Sequence, residues 1–144
     1  DIDSPRFNYR TEFWDPKFTE YIKHLSSQKN LIICGDLNVC HKDIDIYDPL
    51  KFKNKIPSFF DLEREALSKI LSNNFIDCLR LYNNNENVYT YWNQRTPNMR
   101  KNNRGYRLDY FIITSNIKNN ISSCNIHPEI MGSDHCPISI KLNI

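Results

Sequence analysis

The sequence predicts a single domain of the α/β class, because segments with helical and with strand-like patterns alternate along it. Apolar residues at helical spacing follow Asp15 and Pro16, and a second segment of this kind begins near Asp61. Short apolar runs separate and follow these segments, and the last run, CPISIKLNI, alternates apolar with polar residues as half-buried strands do. Interleaved helices and strands predict a mixed sheet packed against helices.

The first half of the sequence predicts one helix, one strand and a loop, in that order. The helix is expected to begin at Asp15 as its N-cap, with proline at the first helical position. Its apolar face would contain Phe18, Ile22 and Leu25. The apolar run from Leu31 to Cys34, which Gly35 ends, predicts a short core strand. Prolines and lysines over residues 48–58 indicate a loop.

The second half predicts another helix and three strands. The helix begins near Asp61, and its expected apolar residues are Leu62, Ala66, Ile70 and, just before it, Phe59. After the polar stretch NNNEN come three segments that favour strands: VYTYW, RLDYFIITS and CPISIKLNI.

Composition limits the class of protein without identifying a partner. The 144 residues suffice for one domain with a hydrophobic core, and a formal net charge of +2 is too small to indicate a nucleic-acid partner by itself. Five scattered cysteines without a CxxC pair predict reduced thiols in an intracellular protein, not a disulfide framework or a zinc site. We expect neither a membrane span nor a signal peptide, and no membrane partner.

Acidic residues lie where apolar strands begin or end. Asp36 follows the first strand, Asp109 lies inside the apolar run LDYFII, and Asp134 with His135 immediately precedes the last strand. A carboxylate at the mouth of a strand needs a partner, because desolvation costs several kcal/mol or shifts its pKa. These residues are therefore either paired separately within the structure or brought together in one site.

Taken singly, each of these residues has an ordinary structural explanation. Asp36 and Asn38 are typical turn residues. Asp109 is a candidate for an ion pair with Arg107 or Arg104. Taken together, a carboxylate beside a histidine suits acid–base chemistry, and a carboxylate and an amide on one turn can hold a divalent ion or position water. This combination would serve metal-assisted hydrolysis of a phosphodiester.

Four sequence blocks resemble the exonuclease III family of apurinic/apyrimidinic endonucleases. GDLN at residues 35–38 is followed by HxxID at 41–45, GYRLDYF at 105–111 and GSDHCP at 132–137, in the order of that family. The first and last blocks also fit the wider endonuclease/exonuclease/phosphatase superfamily, and RLDYF narrows the resemblance. It implies a DNase I-like fold, a four-layer α/β sandwich with mixed sheets. Residues 1–144 are then the C-terminal portion, about half, of that domain.

The resemblance also implies an activity and a set of catalytic residues. The family is one of class II endonucleases of base excision repair, which hydrolyse the phosphodiester 5′ to an abasic site in duplex DNA. 3′-Phosphodiesterase and 3′–5′ exonuclease activities are left open. Asp36 would position or deprotonate the attacking water, Asn38 would orient it, and Asp109 would support His135, which polarises the phosphate. The implied cofactor is Mg²⁺ or Mn²⁺, with Asp36, Asn38, Asp134 and His135 as its implied ligands.

Residues 91–107 interleave aromatic with basic side chains. Aromatic rings can stack on bases or form apolar walls, and basic residues neutralise phosphates. The alternative is a solvated basic loop beside core aromatics. By resemblance, Tyr91, Tyr106 and Leu108 line the pocket for the flipped abasic sugar, and the loop that follows Trp92 enters a DNA groove; many relatives carry Trp at the position of Tyr106. The implied DNA-binding residues are His41, Tyr91, Trp92, Arg95, Arg104, Tyr106 and Leu108.

A loop that approaches DNA in relatives is different here. Relatives often carry Asn-Ala-Gly-Phe, whereas this chain has KIPSF at residues 55–59, preceded by lysines at alternate positions. Lys51, Lys53 and Lys55 either compensate electrostatically for the lost element or belong to a solvated loop.

Other residues of the family site have no counterpart in this sequence. The family places an Asn, an Asp, a metal-binding Glu and a catalytic Tyr in an N-terminal half. We therefore expect the isolated chain to have little activity and the missing N-terminal half to be its partner. We expect the protein to be located in the nucleus or in a DNA-containing organelle. Alternatives are a noncatalytic relative that binds DNA or a protein partner, and another phosphodiesterase of the superfamily.

Overall fold

The computed structural model describes residue 2 and residues 4–143. The α-helices are α1 (Pro5–Asn8), α2 (Asp15–Ser26), α3 (Pro49–Phe52), α4 (Asp61–Leu71) and α5 (Leu79–Tyr82), with a π-helical turn over Tyr9–Trp14 and 3₁₀ turns over Asp43–Asp45 and Ser115–Asn120. The strands are β1 (Ile32–Asp36), β2 (Phe75–Asp77), β3 (Asp109–Thr114), β4 (Ile121–Ile126) and β5 (Ile138–Leu142). Among these residues, no helix has the length and apolar character that a bilayer crossing requires.

The first helix begins eleven residues earlier than the sequence predicted. Ser4 is the N-cap, its Oγ accepts the Phe7 N–H at 3.2 Å, and Pro5 occupies the first turn. Helical backbone then continues through the π-helical turn, so the prediction that Asp15 is the N-cap is wrong. Ser4-Pro5 carries the same start signal as Asp15-Pro16, and the wide π-helical turn joins the two helical segments.

Strands β1, β3 and β2 form one antiparallel sheet in that order. Helices α2 and α4 cover one of its faces, where Ile22, Leu67 and Ile112 are buried in a common core. The sequence predicted a mixed sheet, whereas the pairings within the described residues are all antiparallel. The sheet places the C-terminal end of β1 beside the N-terminal end of β3.

The antiparallel pair β4–β5 packs on the other face of this sheet. Cys124 of β4 lies in a buried cluster with Ile113 of β3 and Cys78. The covering stops short of β1, because Ile32 is 40% exposed and Cys34 is exposed. Strand pairing places both on the same face as Ile113. The second face of the sheet is therefore covered at β3 and open at β1.

Helix α4 begins at Asp61 as predicted, but its buried face differs by one residue. Leu62 is 51% exposed, so the prediction that it faces the core is wrong. Glu63 is buried in its place, and its carboxylate accepts the Phe60 N–H at 3.2 Å. The capping residue Glu63 therefore faces the core, where the apolar pattern had placed Leu62.

Two other segments differ from their predicted structure. VYTYW forms no extended strand in the described chain; Tyr91 instead makes isolated bridges with Tyr106 and His135. The predicted loop over residues 48–58 contains the single-turn helix α3. Strands β2 and β4 were not predicted.

Gly105 allows the close packing that holds these bridges. A Cβ at this position would lie 2.6 Å from Trp92 Nε1, 2.7 Å from Tyr89 Cβ and 2.8 Å from the Tyr91 carbonyl oxygen. We expect Gly105→Ala to lower the free energy of unfolding by about 1–3 kcal/mol, because neighbouring side chains and backbone must move apart. Urea denaturation would measure the change, with exposed Lys101→Ala as the control. Equal stability of the two variants would contradict this expectation.

Candidate active site

Strand pairing places two carboxylates next to each other. Asp36, the last residue of β1, is the register partner of Asp109, the first residue of β3. Directly paired residues of antiparallel strands point to the same face. The Leu37 N–H donates to the Leu108 carbonyl at 2.9 Å and extends the pairing one residue further. The two acids therefore share one end of the sheet.

The turn after β1 fixes the orientation of Asp36. Its Oδ1 accepts the backbone N–H of Asn38 at 2.7 Å, and its Oδ2 accepts the Asn38 side-chain nitrogen at 2.8 Å. Asn38 has a φ of +51°, in the left-handed region, where asparagine is among the better tolerated residues. The side-chain nitrogen of Asn38 already donates to Asp36, and the Oδ1 of Asn38 is therefore the atom that can contact a ligand.

The pKa of Asp36 is raised above its ordinary value. Although the residue as a whole is exposed, desolvation of its carboxyl is the main cause, and the charge of nearby Asp109 adds to it. The Asn38 N–H, His135 and Arg10 oppose the rise. A raised pKa makes this carboxylate a stronger base than an ordinary aspartate.

Asp109 and His135 form a hydrogen-bonded pair. Asp109 Oδ2 lies 2.8 Å from His135 Nδ1, and the side chains are 14% and 30% exposed. The Oγ1 of buried Thr90 accepts the backbone N–H groups of both Leu108 and Asp109, at 2.9 and 3.1 Å, and fixes the start of β3. With Nδ1 bonded to the carboxylate, Nε2 is the ring nitrogen that can face a substrate.

The predicted ion pair between Arg107 and Asp109 does not form, because Arg107 pairs with other acids. Its Nε lies 2.7 Å from Asp45 Oδ1, and its Nη2 lies 2.7 Å from Asp77 Oδ2. Asp45 is also bonded by Arg80. The buried carboxylates of Asp45 and Asp77 thus both contact the Arg107 guanidinium, because a buried charge without a partner is costly. Arg104 is exposed on its loop, and Asp109 bonds His135.

Residues 133–136 are held against the segment around Thr90. The backbone N–H of Trp92 donates to the Asp134 carbonyl at 2.9 Å, and the backbone N–H of Cys136 donates to the Thr90 carbonyl at 2.8 Å. The His135 ring lies 4.9 Å from the Tyr91 ring, centroid to centroid. The structure thus brings together Asp36, Asn38, Asp109 and His135, with Asp134 adjoining; their individual roles stay predictions.

A line of aromatic rings extends from His135. The Tyr91 and Tyr106 rings are 5.8 Å apart, and Tyr106 in turn lies 5.8 Å from Tyr47 and 6.4 Å from Phe52. Burial raises the pKa of both Tyr91 and Tyr106, which keeps their hydroxyls neutral. Leu108 is 4% exposed and packs behind these two rings, in a core with Cys40 and Ile46.

Trp92 lies in the interior, not on the surface. It is 2% exposed, its Nε1 donates to Asn103 Oδ1 at 3.2 Å, and the Arg100 guanidinium covers its ring at 4.6 Å. Arg100 also donates to the carbonyls of Ser133, Pro128 and Ile130. Trp92 and Arg100 therefore support the loop, whereas Arg95 and Arg104 are exposed on it.

His41 lies against helix α4, outside the group formed by Asp36, Asp109 and His135. Its Nε2 is 2.8 Å from Ser68 Oγ, and its carbonyl accepts Arg64 Nε at 2.9 Å. Burial lowers the pKa of this histidine. Its contact with DNA stays a prediction.

Sequence reasoning missed Thr90 and the buried charges around Arg107. The HxxID block included Asp45, but nothing local indicated that its carboxylate is fully buried. Thr90 lies in the segment VYTYW, whose pattern indicated only a strand. Both act through backbone or side-chain partners that are distant in sequence, and that information is absent from local patterns.

The oxygen-rich character of Asp36, Asn38 and Asp134 suits a hard divalent ion such as Mg²⁺ or Mn²⁺. However, within residue 2 and residues 4–143, no three His, Cys, Asp or Glu side chains are arranged to hold a metal. Asp36, Asp134 and His135 therefore do not form such a group of three, and His135 Nδ1 is bonded to Asp109; the assignment of metal ligands stays a prediction.

Comparison with known proteins finds repair nucleases. Over 140 residues the chain is 39% identical to an exodeoxyribonuclease of Bacillus subtilis (strain 168), covering 96% of this chain and 54% of that relative. It is equally identical, over 140 residues, to the DNA repair nuclease APEX1 of Danio rerio, covering 96% of this chain and 44% of that relative. The fold is also similar to an apurinic/apyrimidinic endonuclease of Leishmania major, with a TM-score of 0.86 and 34% identity over 94% of this chain and 44% of that one.

The chain thus spans about half the length of the curated relatives that it matches. The likeness to the Leishmania major structure supports the predicted DNase I-like fold. Residues 1–135 match the profile of the Endonuclease/Exonuclease/phosphatase family, and the chain therefore belongs to that family.

Proposed function

We propose that this chain is part of an apurinic/apyrimidinic endonuclease that hydrolyses the phosphodiester 5′ to an abasic site in duplex DNA. The carrying observation is that Asp36 and the Asp109–His135 pair meet at one end of the sheet. A basic carboxylate beside an oriented histidine suits water attack on a phosphodiester. The names of relatives, which include an apurinic/apyrimidinic site endonuclease, support this substrate class.

The Asp109–His135 pair would bind and polarise the phosphate. Hydrogen bonding to Asp109 through Nδ1 fixes the orientation of the His135 ring. The Nε2–H group would then donate to a non-bridging phosphate oxygen, where negative charge grows during attack. Asp36, with its raised pKa, would accept a proton from the attacking water, and Asn38 would orient that water.

The aromatic line would form the wall for the lesion. Tyr91 lies beside His135 and Tyr106 lies beside Tyr91, so that a deoxyribose without a base would fit there and a normal nucleotide would meet the rings. Arg95 and Arg104 are exposed on the neighbouring loop and would contact phosphates. Lys51, Lys53 and Lys55 are exposed beside Phe52, at the far end of the line, and would add phosphate contacts there.

The catalytic unit would include residues beyond these 144. Since the described residues contain no such group of three, a metal site would need further carboxylates, and the open face of β1 at Ile32 and Cys34 offers a surface for another sheet. We propose that residues 1–144 are the C-terminal portion of the domain, that an N-terminal half is their partner, and that the isolated chain has little activity. When bound, Mg²⁺ or Mn²⁺ would stabilise negative charge on the phosphate. A compartment that contains DNA is the corresponding location.

A complementation assay tests this proposal. A synthetic abasic duplex with Mg²⁺ is incubated with the chain alone, with the chain plus the N-terminal half of a relative, and with His135→Ala in the same mixture. We expect incision only in the mixture that carries His135. Incision by the pure chain alone would refute the two-part arrangement.

Two alternatives predict different results. If the folded mixture binds abasic DNA but never cuts it, the chain is a binding module and the nuclease proposal fails. If the mixture cleaves RNA, nucleotide or inositol phosphate substrates in preference to abasic DNA, the chain belongs to another phosphodiesterase of the family.

A further inference from the structure

The guanidinium of Arg10 contacts the turn that carries Asp36 and Asn38. Its Nη1 donates to the Asn38 carbonyl at 2.9 Å, and its Nη2 donates to the Leu37 carbonyl at 2.8 Å. The planar fork of arginine can reach two neighbouring carbonyls at once, which the single ammonium of lysine cannot do with the same geometry. One side chain from the N-terminal helical segment thus holds two successive peptide groups of this turn.

Two acidic residues hold Arg10 in place. Its Nη1 lies 3.3 Å from Glu63 Oε1, and its Nε lies 3.5 Å from Asp15 Oδ2. Glu63 is 3% exposed and also accepts the Phe60 N–H, so its carboxylate is fixed on helix α4. Desolvation raises the pKa of both acids, and the charge of Arg10 opposes that rise. Arg10 therefore connects α4 and the start of α2 to the turn after β1.

The backbone at Arg10 has the π-helical form. The Asp15 N–H donates to the Arg10 carbonyl, five residues back, which widens this turn of the helix. Short π-helical segments are rare and occur frequently at functional sites. A cavity of about 660 Å³ lies here and is lined by Arg10, Glu63, Asp36 and Asn38, among others. The guanidinium and the turn therefore border the same open space.

We propose that Arg10 is a positioning residue for the Asp36–Asn38 turn. A non-glycine residue with positive φ is held by its surroundings, and here the two carbonyl contacts supply that hold at Asn38. With the turn fixed, Asp36 and Asn38 keep their mutual hydrogen bonds and their place beside Asp109. The reaction served rests on the proposed function, whereas the positioning itself does not.

Amide hydrogen exchange tests the positioning without reference to activity. We expect Arg10→Gln to speed exchange at Leu37 and Asn38 by at least about tenfold, while exchange at Thr114, bonded to Leu31 at the opposite end of β1, stays within about twofold. Arg10→Lys keeps the charge and should restore part of the protection. Arg6→Gln is the matched control, because Arg6 is an exposed arginine on the same helical segment.

Two outcomes of the exchange experiment would overturn the proposal. Unchanged exchange at Leu37 and Asn38 would show that the carbonyl contacts do not hold the turn. An equal increase at all amides, including Thr114, would show that Arg10 supports only global stability.

Kinetics of the active protein give an independent readout. Arg10→Gln is expected to lower kcat by about 10–100-fold with KM within about threefold, because a displaced water-positioning group slows chemistry more than binding. A higher KM at unchanged kcat would overturn the proposal, since Arg10 would then be a DNA contact. If no protein cuts abasic DNA but the exchange result holds, the proposed function fails and the positioning of the turn stands.

Discussion

His135→Gln is expected to lower the turnover number of the active protein by about 10²–10⁴-fold, the usual contribution of a positioned acid–base group. Asp109→Asn should cause a loss of similar order, because a neutral amide removes the negative charge that faces the His135 ring across the 2.8 Å contact. The double variant should be little worse than either single one, since the two residues act as a unit. Single-turnover cleavage of an abasic duplex measures all three.

His127→Gln is the matched control for this experiment. His127 is also a partly buried histidine, but its Nε2 lies 2.8 Å from Ser139 Oγ on strand β5. Its replacement should leave turnover within about threefold of the unmodified protein. Multiplicative losses in the His135 and Asp109 double variant would contradict coupling through their hydrogen bond.

Arg107→Met is expected to lower the free energy of unfolding by about 3–5 kcal/mol, because it removes the cation that contacts buried Asp77 and leaves buried Asp45 with Arg80 alone. Arg107 is 1% exposed and contacts both Asp45, which is 0% exposed, and Asp77. Urea denaturation monitored by tryptophan fluorescence measures the loss. Arg104→Met, on the exposed loop, is the control; a similar result for both variants would refute the importance of the buried contacts.

A second variant separates the ion pair from the volume of the side chain. Arg107→Met combined with Asp77→Leu removes one charge of each sign and leaves the Asp45–Arg80 contact intact. Since apolar replacement of a buried pair is often neutral or stabilising, the double variant should be more stable than Arg107→Met alone. No recovery would attribute the loss to packing.

The acid dependence of stability gives a further check on Arg107. Burial would raise the pKa of Asp45, but the charges of Arg107 and Arg80 outweigh burial, and the net pKa lies below the ordinary value of 3.8. The stabilisation by ionised Asp45 is therefore present above the unfolded-state pKa and is lost as pH falls through the lower folded-state pKa. Arg107→Met should move the acid unfolding midpoint to higher pH.

Local patterns sufficed for elements whose pattern agrees with their final environment. Alternation of apolar residues predicted strand β5, and the apolar runs predicted β1 and β3. Taken together, the acids at strand ends also predicted a common site, because carboxylates beside apolar strands need partners. Strand β2 has only three residues and β4 carries serine, cysteine and asparagine, so neither shows a clear period.

Other features depend on partners that no local pattern reveals. Leu62 was expected in the core, but capping by Glu63 and its contact with Arg10 set which side of α4 is buried. The sequence suggested an ion pair between Asp109 and nearby Arg107. Arg107 instead contacts Asp45 and Asp77, which lie 62 and 30 residues away in the sequence. The aromatic line likewise joins rings from three separate stretches of the chain.

The wide sequence separation of the site residues has a consequence for folding kinetics. Asp36 and Asp109 meet only when β1 pairs with β3, and domains whose contacts join residues far apart in sequence fold more slowly than domains with local contacts. A collapsed intermediate with helices α2 and α4 formed would still keep the two carboxylates apart. The arrangement of Asp36 and Asp109 would therefore be absent from any nascent or misfolded chain in which β1 has not yet paired with β3.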